Sequence, residues 1–301
     1  MNKNYRAGFI GIVGFPNVGK STLVNCLVGE KVSIVSAKPQ TTRQRVFGIL
    51  SRPEGQIIFT DLPGLTSRPG EINSFIRGEF YRGLSDADAV LIVDDITEKA
   101  SEKMAEVLTK EKITKPVLVV INKVDLTPVE KLVERVVFWE HLGFKTMGFS
   151  ALKPKDLPRE FLINDLISML PQAGAPLYDS ELYTTQNLRE IVREIIREKC
   201  FERLHKEIPY GLAVKCLKFE EPVGDKGIYK IFAEIIIEKN NHKPIVIGKG
   251  GQTLKQIGQL ARVEIEKVLD KKVFLDLHVQ VRPDWARSQT ALEELGYVNE
   301  H

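Results

Sequence analysis

Apolar residues follow one another along this chain in two rhythms. Residues 8–13, 56–60, 89–93 and 116–121 are short, nearly unbroken apolar runs, the pattern of strands buried on both faces. Residues 46–50 and 146–149 add two further strands, the first joined to the run at 56 by a turn at Pro53-Glu54-Gly55. Between them, 22–28 and 161–170 place apolar residues at helical spacing, and 101–112 reads as a polar helix. Strands alternating with helices predict a mostly parallel sheet with helices on both faces, an α/β domain. Residues 31–39 show no period.

At Pro171-Gln172-Ala173-Gly174-Ala175-Pro176 the rhythm stops, as two prolines and a glycine dictate. Beyond it, Leu188, Ile191, Val192, Ile195, Ile196 and Cys200 fit one amphipathic helix over roughly 184–204. Residues 212–219 and 229–237 read as paired strands around a turn with Pro222, Gly224 and Gly227. Leu254, Ile257, Leu260, Ala261 and Ile265 mark a further helix, 273–281 a last strand, and Trp285, Leu292, Leu295 and Tyr297 a short docked tail that ends near Val298. The chain therefore divides into a first domain over 1–172, a linker over 173–183, and an α+β domain over 184–301.

Composition narrows this little. A hydrophobic content of 43% and a charged content of 28% are those of an ordinary soluble protein. No apolar run reaches the roughly 18 residues of a membrane span, and the first six residues lack the apolar core of a signal peptide. Cys26, Cys200 and Cys216 are far apart, which predicts thiols in a reducing cytoplasm and neither disulfides nor a zinc site. Net charge is only +3, but residues 239–272 hold 8 Lys and Arg against 3 Asp and Glu, a basic stretch in an otherwise balanced half.

The chemistry sits at strand ends. Gly14-Phe15-Pro16-Asn17-Val18-Gly19-Lys20-Ser21 reads GxxxxGK[ST] between a strand and a helix, a loop that cradles phosphates. The backbone from Gly14 through Asn17, Val18 and Gly19 to Thr22 would face phosphate oxygens. Lys20 would reach the β- and γ-phosphates and Ser21 would ligand Mg²⁺. Asp61-Leu62-Pro63-Gly64 is a DxxG in which Asp61 can hold Mg²⁺ through water and Gly64 can contact a γ-phosphate. Asn122-Lys123-Val124-Asp125 decides the base. The Asp125 carboxylate can accept from the N–H edge of guanine, an edge that adenine does not offer. Asn122 would brace the loop, Lys123 would lie along the base, and Ser150-Ala151-Leu152 would give a backbone N–H to the guanine carbonyl. These motifs predict GTP and GDP as ligands.

In the second half Ile245-Val246-Ile247 leads into Gly248-Lys249-Gly250-Gly251. This GxxG after an apolar Val-Ile resembles the loop of a type II KH domain. Glycines admit a phosphodiester closely, and Lys249 adds charge. The resemblance implies an apolar groove for about four unstacked bases, walled by Ile245, Ile247, Leu254 and Ile257 with Lys255 alongside. His242 and His278 have no partners at metal spacing and read as packing or surface residues.

The first set of motifs resembles the small GTPases, which implies that Thr41 or Thr42 binds Mg²⁺ in the GTP state. Relatives with a TTR run use the second threonine, which favours Thr42. With Lys20, Asn17 and Gly64 it completes the candidate catalytic set. Where Ras-type GTPases have a glutamine after the DxxG glycine, this chain has Leu65. Asn17 together with a hydrophobic residue there resembles a class that uses K⁺ to neutralise charge between the β- and γ-phosphates. The order α-β-β-α-α-β around VIGxxG resembles a type II KH domain. A P-loop GTPase followed by a type II KH domain resembles the Era family of ribosome-associated GTPases over essentially the whole chain. Gln40-Thr41-Thr42-Arg43, Ile208-Pro209-Tyr210 and Leu295-Gly296-Tyr297-Val298 are further matches. Phe15 stands where many relatives carry Arg. The resemblance implies a monomeric, cytoplasmic GTPase with low intrinsic turnover that RNA or the ribosome stimulates. In its GTP state it would bind the 3′ end of 16S rRNA, assist maturation of the 30S subunit, and leave after hydrolysis. Peripheral contact with the inner face of the cell membrane is also implied. A signalling switch that docks a protein, and an RNA-binding protein with a merely structural GTPase, are the two other classes open to this sequence.

Overall fold

The computed structural model describes residues 4–36, 38, 41–64, 71–99, 101–110, 113–224 and 227–297. Gln40, Leu65, Val298 and the last two residues of the helix expected over 101–112 lie outside them. The chain divides into two compact units, one drawn from residues 1–66 and 77–185, the other from 67–76 and 186–301.

The first unit is built from β1 (Arg6–Val13), α1 (Lys20–Val28), β2 (Val46–Ser51), β3 (Gly55–Asp61), α2 (Glu71–Asp86, from residue 77 on), β4 (Ala89–Asp95), α3 (Ser101–Lys110), β5 (Val117–Asn122), α4 (Val129–His141), β6 (Lys145–Gly148) and α5 (Asp156–Met169). The strands form one sheet in the order β2-β3-β1-β4-β5-β6. Only β2 runs antiparallel to its neighbour. Every residue of β3 and β4 is buried, which explains their unbroken apolar runs. One face carries Ile10, Ile57 and Leu91 against Leu23 and Leu27 of α1 and Leu162 and Leu166 of α5. The other carries Val90, Ile92 and Val119 against Phe80, Met104 and Trp139 of the remaining helices. With both faces covered, the carboxyl ends of β1, β3 and β5 are where loops can gather around a ligand.

The stretch expected as a linker is fastened to this sheet. Ile49 donates its N–H to the Tyr183 carbonyl at 2.9 Å, and the Thr184 hydroxyl donates to the Phe47 carbonyl at 2.8 Å. The fully buried Gln56 donates its amide to Tyr178 O at 2.8 Å and accepts from the N–H groups of Leu177 and Tyr178 at 2.8 and 2.9 Å. Residues 173–183 thus complete the edge of the first unit, and the division falls after residue 185 instead of at 172 and 183. The same bonds move the next helix, expected from 184. Thr184 is held on β2, and α6 (Leu188–Arg203) starts behind a capping box in which Glu190 N–H bonds Asn187 Oδ1 and Asn187 N–H bonds Glu190 Oε2, both at 3.0 Å.

The second unit continues with β7 (Leu212–Glu220), β8 (Tyr229–Ile237), α7 (Lys243–Ile247), α8 (Gln252–Leu269), β9 (Val273–Val281) and α9 (Gln289–Glu294). Its sheet has the order β7-β8-β9, antiparallel then parallel, with a bulge between Cys216 and Lys218. Helices α6 and α8 cover one face, where Ile191, Ile195, Ile257, Ala261 and Ile265 pack against Ile231, Ala233 and Ile235. A second cluster joins Phe75 and Ile76 to Ala213, Ile236, Trp285, Leu292, Leu295 and Tyr297, with Trp285 Nε1–H bonded to Gly211 O at 3.1 Å.

Candidate functional site

The loop from β1 to α1 forms one wall of a cavity of about 370 Å³ in the first unit. Its glycines are sterically required. A Cβ on Gly14 would lie 2.6 Å from the Val93 carbonyl, and one on Gly19, at φ +98°, would strike the Asn122 amide. Asn17 also has a left-handed backbone, φ +68°. Lys20 is buried, and its ammonium donates to the carbonyls of Gly14 (2.9 Å) and Phe15 (3.1 Å). Burial lowers its pKa to about 8, against the opposing pull of Asp61.

Three side-chain oxygens meet beside it. The Ser21 hydroxyl donates to Asp61 Oδ2 at 2.6 Å, and Thr42 Oγ1 lies 3.2 Å from Ser21 Oγ and 3.5 Å from Asp61 Oδ2. Asp61 Oδ1 is buried without a hydrogen-bond partner among the described residues. Burial raises the Asp61 pKa, opposed chiefly by the Lys20 charge and the Ser21 hydrogen bond. An all-oxygen set with one unsatisfied carboxylate oxygen fits a hard divalent cation such as Mg²⁺. Thr41 also lines the cavity, but its hydroxyl donates to the Lys38 carbonyl at 2.8 Å instead of joining this cluster. Gly64 also lines the cavity, and a Cβ there would come within 3.0 Å of Pro16.

The far end is organised by Asn122, which is buried at the end of β5. Its amide nitrogen donates to Val18 O at 2.9 Å, and its oxygen accepts from Ala151 N–H at 3.0 Å. One side chain therefore ties the phosphate loop to the loop after β6. Lys123 donates to Asn17 O at 2.8 Å and to Asp95 Oδ2 at 2.5 Å. Asp125 accepts from the Ser150 hydroxyl at 2.7 Å and pairs with Lys153 at 3.3 Å. The Ser150 bond, then Lys153, hold its carboxyl below the usual carboxylate range. Asp125 is thus an acceptor at neutral pH, on the cavity wall with Ser150, Ala151 and Leu152. Thr22 completes the wall at the start of α1, while Val18 is buried in the core beneath the loop.

Sequence reasoning passed over two contributors here. Ile34, Val35 and Ser36 line the cavity from the aperiodic loop, which Asn25 fixes by donating to Ser33 O and accepting from Val32 and Ser33 N–H at 2.7–2.9 Å. Asp95 anchors Lys123 and is itself held by Thr97 N–H and Oγ1–H at 2.9 and 2.6 Å. Neither has a motif. The one signal in the sequence was the pair of adjacent acids, Asp94-Asp95, at a strand end.

In the second unit, Gly248, Gly250 and Gly251 have φ of +77°, +59° and +79°. A Cβ on Gly250 or Gly251 would meet nothing within 4 Å, so this loop presents bare backbone to its surroundings, with Lys249 between. From Gly251 a cleft of about 340 Å³ runs between α8 and β9, past Leu254, Lys255, Gly258 and Arg262 on one side and Leu275 and Leu277 on the other. The expected groove wall needs correction. Val246 and Ile257 are fully buried and belong to the core beneath. Ile245, 53% exposed, and Ile247 lie on α7 just before the glycine loop and are not among the residues that line this cleft. Leu254, expected in the wall, does line the cleft, and the rest of the apolar wall comes from Leu275 and Leu277 of β9, which read in sequence like residues of any core strand. His242 is buried 3.6 Å from Glu207, and His278 is exposed 3.2 Å from Asp276.

Comparison with known proteins covers both units. Residues 9–123 match the family of 50S ribosome-binding GTPases, and residues 207–286 match the KH domain. The chain is 39% identical over 298 residues to the GTPase Era of Clostridium botulinum, covering 98% of this chain and 99% of that one. It is 38% identical over 296 residues to the GTPase Era of Halothermothrix orenii, with 98% and 99% covered. Among solved structures, a point variant of Aquifex aeolicus Era bound to GDP·AlF4⁻ superposes with a TM-score of 0.90 at 37% identity. An Era complex with MgGDPNP and nucleotides 1506–1542 of 16S rRNA gives 0.90 at 38%; each covers 98% of this chain and 100% of the relative.

Proposed function

Since this chain belongs to the GTPase Era family, we propose that it is a GTP-hydrolysing ribosome-assembly factor that grips the 3′ end of 16S rRNA while GTP is bound. The observation that carries the reading is a single cavity lined by Lys20, Ser21, Thr42 and Asp125, with the buried Asp61 held behind Ser21 by its hydroxyl. The related structures with GDP·AlF4⁻ and with MgGDPNP plus 16S rRNA support it.

The guanine N–H edge docks on Asp125, with Lys123 along the base and the Ala151 N–H near the carbonyl. Adenine leaves that acceptor unmatched, a mismatch of about 10⁴ in sites of this kind. The phosphates enter the loop 14–21, and Lys20 exchanges its carbonyl partners for β- and γ-phosphate oxygens. Ser21 and Thr42, with Asp61 behind them, are the residues that would hold Mg²⁺, which when bound neutralises phosphate charge. Gly64 N–H and the Thr42 backbone then report whether a γ-phosphate is present. Asn17 is the proposed K⁺ partner in turnover, since Leu65 offers nothing to orient water. GTP turnover in K⁺ at least about tenfold above that in Na⁺ is expected, of the kind an added cation gives at a phosphoryl-transfer centre. Equal rates in the two salts would remove Asn17 from the mechanism.

The RNA strand takes the cleft beside Gly248–Gly251, its phosphates against the glycine backbone and Lys249, its bases against Leu254, Leu275 and Leu277. Monomeric action in the cytoplasm, maturation of the 30S subunit and peripheral membrane contact belong to the same proposal. No helix among the described residues is long and apolar enough to cross a membrane. The test is binding of single-stranded RNA of the 16S 3′-terminal sequence by protein loaded with GDP or with a non-hydrolysable GTP analogue, at fixed salt. Tighter binding with the analogue is expected. Equal affinity in the two states would mean that the nucleotide gates something other than RNA.

A further inference from the structure

The strand that walls the cleft also has a second face. Along β9 side chains alternate, so Leu275 and Leu277 point to the cleft while Phe274, Asp276 and His278 point through the sheet to the opposite side. There Phe274, 47% exposed, packs against Phe232 of β8 with ring centroids 5.8 Å apart. Neither ring belongs to the core clusters of this unit. The Lys218 ammonium lies 5.9 Å from the centre of the Phe232 ring, and Lys230 is directly across from Phe274 in the parallel pair. An aromatic pair with cations on an open sheet face is the arrangement on which single-stranded bases stack.

A charged route joins the two faces. Lys255 and Arg262 line the cleft along α8, and Lys272, 81% exposed at its side chain, stands in the turn between α8 and Phe274. β9 is the edge strand of its sheet, so nothing in the sheet bars passage around that turn. Acidic groups bound the surface. Glu220 pairs with Lys218 and Lys230, Asp276 with His278, and Glu234 sits next to His278 in register. Lys272 is likewise paired, with Glu266 at 3.4 Å, so the Lys272–Lys230–Lys218 end sets three cations against the two carboxylates of Glu220 and Glu266 and keeps an excess of positive charge for a phosphate backbone.

We propose that Phe232 and Phe274 form a second, base-stacking platform for single-stranded RNA, which takes the nucleotides that leave the cleft around the α8–β9 turn. The proposal rests on the RNA reading of the cleft, and the experiment separates the two. Anisotropy would be measured with a labelled RNA of about four nucleotides, the length such a groove clamps, and with one about three times as long. The protein is the full chain loaded with the GTP analogue. Phe274→Ala and Phe232→Ala should weaken the long RNA roughly 5- to 150-fold and leave the short one unchanged. Phe274→Tyr, which keeps a stacking ring, should restore the long RNA, and Phe274→Leu, which keeps only apolar bulk, should not. Gly251→Asp should weaken both RNAs. If the alanine variants bind the long RNA as the wild type does, or if Leu restores it as well as Tyr, the platform is overturned and the face is an apolar surface suited to protein. If Gly251→Asp changes neither RNA, the cleft reading fails instead.

Discussion

The two binding regions are built on opposite plans. In the nucleotide cavity almost every polar group already has a protein partner: Lys20 holds two carbonyls, Asn122 bridges two loops, Asp125 accepts from Ser150, and Ser21 donates to Asp61. The RNA cleft offers bare glycine backbone, apolar walls and exposed cations instead. The glycines make the contrast concrete. Gly14 and Gly19 are forced by close neighbours, whereas Gly250 and Gly251 have open space and are required only by their positive φ. The first region selects by matching donors to acceptors, and errors there leave polar groups unpaired. The second selects by admitting a strand of suitable shape and charge, and its errors cost less.

The largest effect expected from that contrast is at the base. Asp125→Asn replaces an acceptor by a group that also donates, and GDP affinity should fall by about 10⁴ while affinity for xanthosine diphosphate rises, as competition binding would show. Retained guanine preference would mean that the loop, and not the carboxylate, reads the base. Next, Gly251→Asp puts an anion and a backbone strain where a phosphodiester runs. RNA binding should drop roughly tenfold or more, with basal GTP turnover unchanged; a parallel loss of turnover would show that the plans are not independent. The third concerns Lys20, whose pKa of about 8 is lowered by burial. Phosphates favour its charged form, so the bound pKa is higher than the free one. Below a pH of about 8 both states are protonated and affinity is flat. Above it, binding must take up a proton, and the Kd for GDP should rise up to about tenfold per pH unit. A flat profile to a pH of about 9.5 would contradict the coupling. The smallest is Arg262→Ala, which should lower the salt slope of RNA binding by about 0.7, one single-strand phosphate contact, and leave nucleotide affinity untouched.

The same contrast explains what could be read in advance. Phosphate and guanine recognition need particular atoms at fixed offsets, so Gly14–Ser21, Asp61–Gly64 and 122–125 declare themselves as strings. Cleft walls need only apolar bulk on the correct side of a strand. Leu275 and Leu277 therefore look no different from Val279, and Ile257, expected in the wall, is buried by its helical phase. Gln56 shows a second kind of blindness. Its amide satisfies Leu177 and Tyr178, more than a hundred residues away, and local pattern has no means to announce a partner at that distance. Prolines at 171 and 176 correctly signalled the end of periodicity, but the loss of a repeating pattern says nothing about whether the chain is free. Asp95 is legible only once Lys123 is known to lie beside it.

Asn122 has a consequence for how a bound nucleotide leaves. Because one amide fastens both the loop around the phosphates and the loop around the base, displacing Asn122 loosens both at once. Departure of a bound nucleotide therefore disturbs an anchor that its phosphate end and its base end share. Any contact that displaced this one side chain would loosen both ends of the site together.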